Sequence, residues 1–226
     1  MGPIHDAAKL ADVAALRRVL ESGVSPDATE KATDRTALHI LCQNTPGADC
    51  DRVACVKILR EAGANLEATF HSSRALHCAA FYGNLSLLSL LVEAGVNVNA
   101  TKINGKTALH SALEGNNNWI TECVELLLKA GAAVNVVSTF GLKPFDLALN
   151  RGYRRTYPLL LRAGAEFRYY TPNQNPYTLR VQGAGGFKKY EQAHLARITA
   201  ILAPTPLLPP ELVRKILEFW LHAGYY

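Results

Sequence analysis

Three histidines stand at equivalent points of a repeated pattern, and histidine is the side chain best suited to proton transfer or zinc binding near neutral pH. His39, His77 and His110 each follow an Ala-Leu dipeptide. Because the three share one register, we expect a common structural role, in which each imidazole hydrogen-bonds the backbone of a neighbouring turn. We therefore predict no catalytic role for them.

The cysteines near His39 have a spacing that could hold zinc. His39 and Cys42 are three positions apart, and Cys50 and Cys55 follow. However, Cys55 falls in the apolar register of a helix, where a cysteine acts as a small hydrophobic residue. The chain has five cysteines, an odd number that indicates free thiols in a reducing compartment. We expect no metal and no cofactor.

No other motif in the sequence indicates catalysis. Gly183-Ala184-Gly185-Gly186 lacks the Lys-Ser/Thr of a phosphate loop, and there is no nucleophile elbow or paired-carboxylate pattern. We predict that the protein is not an enzyme. The apolar runs are short and interrupted by charges, and the first twenty residues lack the plan of a secretory signal. We expect an intracellular protein, cytoplasmic or nuclear, that does not insert into membranes.

The histidines belong to a unit that recurs along most of the 226 residues. In each copy a short segment containing small residues precedes an apolar helix, and a glycine ends that helix. Glycine suits this position because it adopts the left-handed conformation without steric cost. The spacings between these glycines are 40, 32, 36 and 33 residues, for Gly23, Gly63, Gly95, Gly131 and Gly164.

This period and the Thr-Ala-Leu-His openings at Thr36 and Thr107 resemble the ankyrin repeat, a unit of about 33 residues with a turn and two paired helices. The resemblance implies an all-α solenoid of about five repeats over residues 1–168. Two copies depart from the period. Residues 44–51 are inserted in the second unit, and residues 115–119 form a polar bulge in the fourth.

A solenoid buries each repeat against its neighbours and leaves an extended curved surface, which suits a protein partner. The resemblance implies a protein-interaction scaffold whose hairpin tips and inner helices make the contacts. Because buried aromatic and large apolar side chains dominate binding energies, Phe70, Ile103 and Phe140 carry the most weight, unless they fold onto the adjacent hairpin. The predicted contact residues are Glu30, Lys31, Gln43, Phe70, His71, Phe81, Tyr82, Lys102, Ile103, Asn104, Glu114, Thr139 and Phe140.

Beyond the repeats, residues 169–186 contain prolines and glycines typical of a linker, and residues 187–226 are predicted to form a helical extension. This extension resembles a SOCS box and the start of an F-box, which implies elongin, cullin or F-box adaptor subunits as partners. The alternative function is then substrate recognition for a cullin-type ubiquitin ligase. The other interpretation is that both helices simply fold back and cap the last repeat. The residues that would recruit a ligase are Leu195, Ile198, Leu208, Pro209, Leu212 and Ile216.

The net charge of +5 is concentrated in one block. Residues 151–200 carry nine Lys or Arg against two Asp or Glu. This block could bind phosphate groups or an acidic protein, or it could be a solvated basic face. Without a recognised nucleic-acid module, we do not expect nucleic acid as a partner. Asn99 and Asn135 also resemble the asparagines that are hydroxylated in other ankyrin arrays.

Overall fold

The computed structural model describes residues 2–31, 33–43, 48–166, 175–202 and 215. The predicted all-α class is confirmed, since these residues form mainly helices and a single short hairpin of two strands. An inner helix and an outer helix alternate along the repeats. The pairs are α1 (Pro3–Leu10) with α2 (Val13–Glu21), α3 (Ala37–Leu41) with α4 (Asp49–Glu61), α5 (Ala75–Tyr82) with α6 (Leu85–Glu93), α7 (Ala108–Glu114) with α8 (Ile120–Lys129), and α9 (Pro144–Arg151) with α10 (Tyr157–Arg162).

The chain forms two compact units, Met1–Pro144 and Phe145–Tyr226. In the first unit, inner helices α1, α3, α5 and α7 contact one another in sequence, and outer helices α2, α4, α6 and α8 do the same. Fully buried alanines such as Ala79 and Ala112 line the inner row, where a small side chain lets two helices approach closely. Fully buried leucines such as Leu88 and Leu91 fill the outer row. Each layer therefore buries its apolar face against the next.

The predicted helix ends are present. The carboxylate of Asp12 accepts a hydrogen bond from the backbone N–H of Ala15 at 2.9 Å and caps α2. Gly23, Gly63, Gly95, Gly131 and Gly164 have φ values between +80° and +87°, just beyond the ends of the outer helices. A residue with a side chain rarely adopts this conformation, so glycine at this point fixes the length of each outer helix.

Hairpin turns join successive helix pairs. The second hairpin contains strands β1 (Thr69–Phe70) and β2 (Ser73–Arg74), which pair antiparallel. The third hairpin is closed by the backbone N–H of Lys102 donating to the carbonyl of Lys106, at 2.9 Å. The fourth is closed by Ser138 N–H and Leu142 O, at 3.0 Å. We call the segments Lys102–Lys106 and Ser138–Leu142 the third tip and the fourth tip.

The second unit contains the fifth helix pair and two further helices, α11 (Pro176–Gly183) and α12 (Phe187–Leu202). The rings of Phe145 and Tyr157 pack at 5.7 Å within it. Helix α11 differs from the expected linker at 169–186. Asn175 caps it by accepting from Tyr177 N–H, Pro176 occupies the first turn, and Tyr177 and Val181 are buried. From the sequence, the boundary between the repeats and the rest of the chain is predicted at residue 168. In the structure, the fifth helix pair belongs to the same compact unit as α11 and α12.

Helix α12 covers the first part of the predicted extension, beginning at Phe187 as expected. The predicted final helix lies outside the described residues, apart from Lys215. Within the described ranges, no helix has both the length and the apolar character needed to cross a membrane.

Candidate protein-binding surface

Histidines connect each repeat to the next hairpin. In each case the Nε2 atom lies within hydrogen-bond distance of a backbone carbonyl that is 23 to 34 residues further along the chain. The sequence predicted this role for three histidines, and the structure confirms it and adds a fourth, His5. The pairs are His5 with Ala28 O at 3.0 Å, His39 with Ser73 O at 3.2 Å, His77 with Ala100 O at 3.0 Å, and His110 with Leu142 O at 3.3 Å.

The second ring nitrogen is also occupied in the three predicted histidines. The backbone N–H groups of Arg74 and Thr107 donate to Nδ1 of His77 and His110, both at 3.2 Å, so that Nε2 carries the proton. Nδ1 of His39 lies 2.8 Å from the Thr36 hydroxyl. Burial lowers the pKa of all three, and that of His77 falls to about 4. Each imidazole is therefore a neutral, fully bonded structural group.

Two of the three cysteines whose spacing could hold zinc are buried in the core as small hydrophobic residues. Cys42 and Cys55 are fully buried, and burial raises the pKa of both thiols, that of Cys55 to about 11. Cys50 is exposed. Over residues 2–31, 33–43, 48–166 and 175–202, no three His, Cys, Asp or Glu side chains are gathered in a way that could hold a metal ion.

A second set of bonds between repeats runs beside the outer helices, and the sequence did not reveal it. The side-chain oxygens of Asp27, Glu67 and Asn99 each accept a backbone N–H from the following repeat, at 2.9, 2.6 and 2.7 Å. Asn99 also donates from Nδ2 to the carbonyl of Gly131 at 3.2 Å. A side-chain acceptor that recurs four positions after the terminal glycine is the signal that could have revealed it.

The third and fourth tips are joined directly. The backbone N–H of Thr139 donates to the carbonyl of Asn104 at 3.0 Å, and its hydroxyl donates to the same oxygen at 3.3 Å. Gly105 lies against the backbone of the fourth tip, where an added Cβ would be 3.5 Å from Ser138 Cα. These contacts hold the two tips side by side as one surface.

Two large apolar side chains stand out from the joined tips. Ile103 is 85% exposed and Phe140 is 68% exposed. With this exposure, neither is folded down onto the adjacent hairpin, which was the alternative considered from the sequence. The ammonium of Lys106 lies 4.9 Å from the centre of the Phe140 ring and also pairs with Glu114. Cation–π contact of this kind orients the ring while leaving most of its surface accessible.

Lys102 lies at the base of the same surface. Its side chain is only partly exposed, and burial lowers the pKa of its ammonium, an effect that the nearby carboxylate of Glu114 opposes. The Glu114 carboxylate thus pairs with Lys106 and also acts on the charge of Lys102. The tip surface combines exposed apolar groups with positive charge.

Phe70 was expected to stand free at a hairpin tip, and the structure does not place it there. It is only partly exposed, and its ring contacts those of His39 at 5.9 Å and His71 at 4.3 Å between ring centres. The guanidinium of Arg35 lies 5.8 Å from the same ring. Phe70 therefore packs within the second hairpin, while His71 remains exposed at its end.

Glu30 was predicted to contact a partner, but it is buried, with 3% of its surface exposed. Hydrogen bonds from Thr33 and Arg35 lower the pKa of its carboxyl group to about 2. Arg35 pairs with it at 2.9 Å, and Lys9 lies 3.8 Å away. The carboxylate thus serves the first hairpin, whereas the neighbouring predicted contact residue Lys31 is exposed.

The predicted inner-helix residues fall into two groups. Phe81 and Tyr82 are 38% and 41% exposed, with ring centres 5.2 Å apart, and they remain available to a partner. Gln43 and Glu114 are held by internal bonds, since Gln43 Oε1 accepts from Arg35 at 3.1 Å and Glu114 pairs with Lys106.

The comparison with known protein families covers most of the described repeats. The family described as Ankyrin repeats (3 copies) matches residues 4–102 and 76–170. The chain belongs to the ankyrin-repeat family. Ankyrin repeats are protein-interaction modules, so protein partners are the class of ligand that this family indicates.

Individual relatives match a shorter part of this ankyrin chain. Over 127 residues, 56% of the chain, it is 32% identical to Inversin of Mus musculus and of Canis lupus familiaris, and 31% identical to Inversin of Homo sapiens. The matched region is 11% of the length of each relative. These similarities therefore concern the ankyrin repeats and not the whole of those proteins.

The ankyrin surface also contains exposed residues that the sequence analysis did not select. Trp119 is 54% exposed in the polar bulge of the fourth repeat, and Val137 is 50% exposed just before the fourth tip. The bulge packs on the third repeat, where Asn117 Nδ2 donates to the carbonyl of Phe81 at 3.1 Å. A tryptophan among asparagines in an insertion is the signal in the sequence that could have indicated an exposed aromatic side chain at this point.

The residues predicted to recruit a ligase are only partly described. Leu195 is partly exposed on α12, and Ile198 lies on the same helix. Leu208, Pro209, Leu212 and Ile216 lie outside the described residues.

Proposed function

We propose that this ankyrin array is a scaffold that binds a protein partner through the joined third and fourth tips. The observation that carries the proposal is the pair Ile103 and Phe140, which expose 85% and 68% of their surface on two joined tips. Large apolar side chains on a rigid, solvent-facing surface are the groups that contribute most when a partner excludes water from them.

The bonds beneath these side chains support the same interpretation. The shared Asn104 carbonyl fixes the distance between the tips, and Lys106 orients Phe140. A surface that is already ordered loses little conformational entropy when a partner binds, which favours affinity. Phe81 and Tyr82 on α5 would extend the contact area along the inner helices.

The test is a comparison of variants with a partner purified by affinity from cells of the source organism. We expect Ile103→Ala with Phe140→Ala to weaken binding by about a hundredfold or more, since a hot-spot residue contributes about 2 kcal/mol or more. Leu10→Ala is the matched control, because Leu10 is an equally exposed apolar residue (69%) away from the tips. An unchanged affinity in the double variant, with the fold intact by circular dichroism, would disprove the proposal.

The alternative proposal, a ubiquitin-ligase adaptor, is supported by the helix at Phe187–Leu202, where the resemblance requires an adaptor-binding helix. Its test uses the full chain with Leu208→Ala and Pro209→Ala. Elongin, cullin or F-box adaptor subunits that co-purify with the natural chain and are lost from this variant would support it. Their absence from both preparations would leave the scaffold function alone.

A further inference from the structure

The second unit contains a positively charged cavity that plays no part in the proposed protein contact. It lies between α11 and α12 and has a volume of about 380 Å³. The two helices are held together by packing of the Tyr177 and Tyr190 rings at 5.7 Å. Arg162 on α10 pairs with Glu191 on α12 at 2.6 Å and fixes the start of that helix. These contacts hold the two helices that form the cavity in place.

Three groups that can donate hydrogen bonds to an anion line this cavity. Arg180 lies on α11. His194 and Arg197 lie on α12, three positions apart and therefore on the same face of that helix. Tyr190 lies one turn before His194, with its ring 6.0 Å from the imidazole. Arginine presents a planar fork of N–H groups that matches the oxygens of a phosphate or carboxylate.

The charges in the cavity are not balanced by the protein residues that line it. Of the described lining residues none is Asp or Glu. Burial lowers the pKa of His194, and the charges of Arg197 and Arg180 lower it further. Nearby Glu191 is already paired with Arg162. Like charges gathered in this way favour an anion between them.

We propose that this cavity binds a phosphate monoester, with Arg180 and Arg197 holding the phosphate oxygens and His194 donating a further hydrogen bond. A doubly charged anion offers several oxygens to these three donors, which suits a phosphate better than a single carboxylate. The volume exceeds that of one phosphate group, so part of the attached molecule fits beside Tyr190 and Ala193.

The phosphate could belong to a small molecule or to a phosphorylated side chain, and the experiment separates these sources. The full chain is titrated calorimetrically with inorganic phosphate, glucose 6-phosphate and N-acetyl-O-phosphoserine amide at constant ionic strength. We expect binding of at least one monoester that is about tenfold weaker in Arg180→Gln with Arg197→Gln. Tighter binding of the sugar phosphate indicates a metabolite, and tighter binding of the phosphoserine compound indicates a modified protein.

The matched control is Arg154→Gln with Arg155→Gln, which removes the same charge from exposed positions of the same basic block. We expect this control to change the affinity by less than about twofold, since a general charge effect is screened by salt. In parallel, the NMR titration of His194 should show that the phosphate raises the pKa of its imidazole, because a dianion stabilises the imidazolium form.

Three results would overturn the proposal: no measurable binding of any of the three phosphates, equal loss of affinity in both double variants, or a pKa of His194 that does not respond to the ligand. Because the tip variants lie in the first unit and these arginines in the second, either proposal can fail while the other holds.

Discussion

His77 is held neutral by its surroundings, and this makes the stability of the array depend on pH. Burial is the main cause that lowers its pKa from 6.5 to about 4, and the charge of Lys102 adds to the effect. In the unfolded chain the imidazole is protonated once the pH falls below 6.5, whereas in the folded chain it stays neutral down to about 4. The unfolded state therefore binds more protons in this window, and stability is lost as the pH falls through it.

We predict that the contribution of His77 to the free energy of unfolding decreases by roughly 2 kcal/mol as the pH falls from about 7 to about 5. The measurement is urea unfolding at several pH values for the natural chain and for His77→Gln. The variant should be less stable at neutral pH and should lose less stability on acidification. Parallel pH profiles in the two chains would show that His77 is not the group responsible.

At the residue scale, the predictions from the sequence were most accurate where the same residue recurs at equivalent positions of the repeats. The histidine bonds could be inferred because three copies share the register, and a recurring residue indicates a recurring contact. Glu30 and Phe70 could not be placed in the same way, because their burial depends on Arg35, Lys9 and His39, and single positions give no sign of such distant contacts.

At the scale of the elements, bonds between repeats should contribute measurably to stability. Asn99 accepts from Ala133 N–H at 2.7 Å and donates to Gly131 O at 3.2 Å, so it links two successive repeats. We predict that Asn99→Ala lowers the free energy of unfolding by about 1 kcal/mol, the usual net contribution of such hydrogen bonds.

Asn99→Asp is the control for this prediction, because a carboxylate keeps the acceptor for Ala133 and loses the donor to Gly131. We expect its stability, measured by urea unfolding, to lie between those of the natural chain and the alanine variant. A chain with Asn99→Ala that unfolds at the same urea concentration as the natural chain would show that this link is not needed. Hydroxylation of Asn99 stays a prediction, to be tested by intact mass.

Helix boundaries in the repeats followed from the terminal glycines, whereas α11 did not follow from its sequence. Residues 169–186 contain prolines and glycines that break helices, and on that basis a linker was expected. Pro176 instead occupies the first turn of α11, where its missing N–H costs nothing, and Tyr177 and Val181 supply the buried face. That burial comes from packing in the second unit, which local composition does not encode.

At the scale of the whole molecule, the two units have different surfaces. The first unit carries exposed apolar side chains on its tips, and residues 151–200 in the second carry nine Lys or Arg against two Asp or Glu. The sequence revealed the repeat architecture and the charge asymmetry. It did not reveal that the tips join through Asn104, or that a cavity lies between α11 and α12, because both depend on segments that meet only after folding.

The central claim, that the joined tips contact a protein partner, is tested most directly by site-specific photo-crosslinking in cells of the source organism. A photoreactive amino acid is placed at Ile103 on the third tip, or at Lys57, which is exposed on outer helix α4. We predict that a partner is crosslinked from position 103 and not from position 57. Crosslinking of the same partner from position 57 alone, or of none from position 103, would contradict the account.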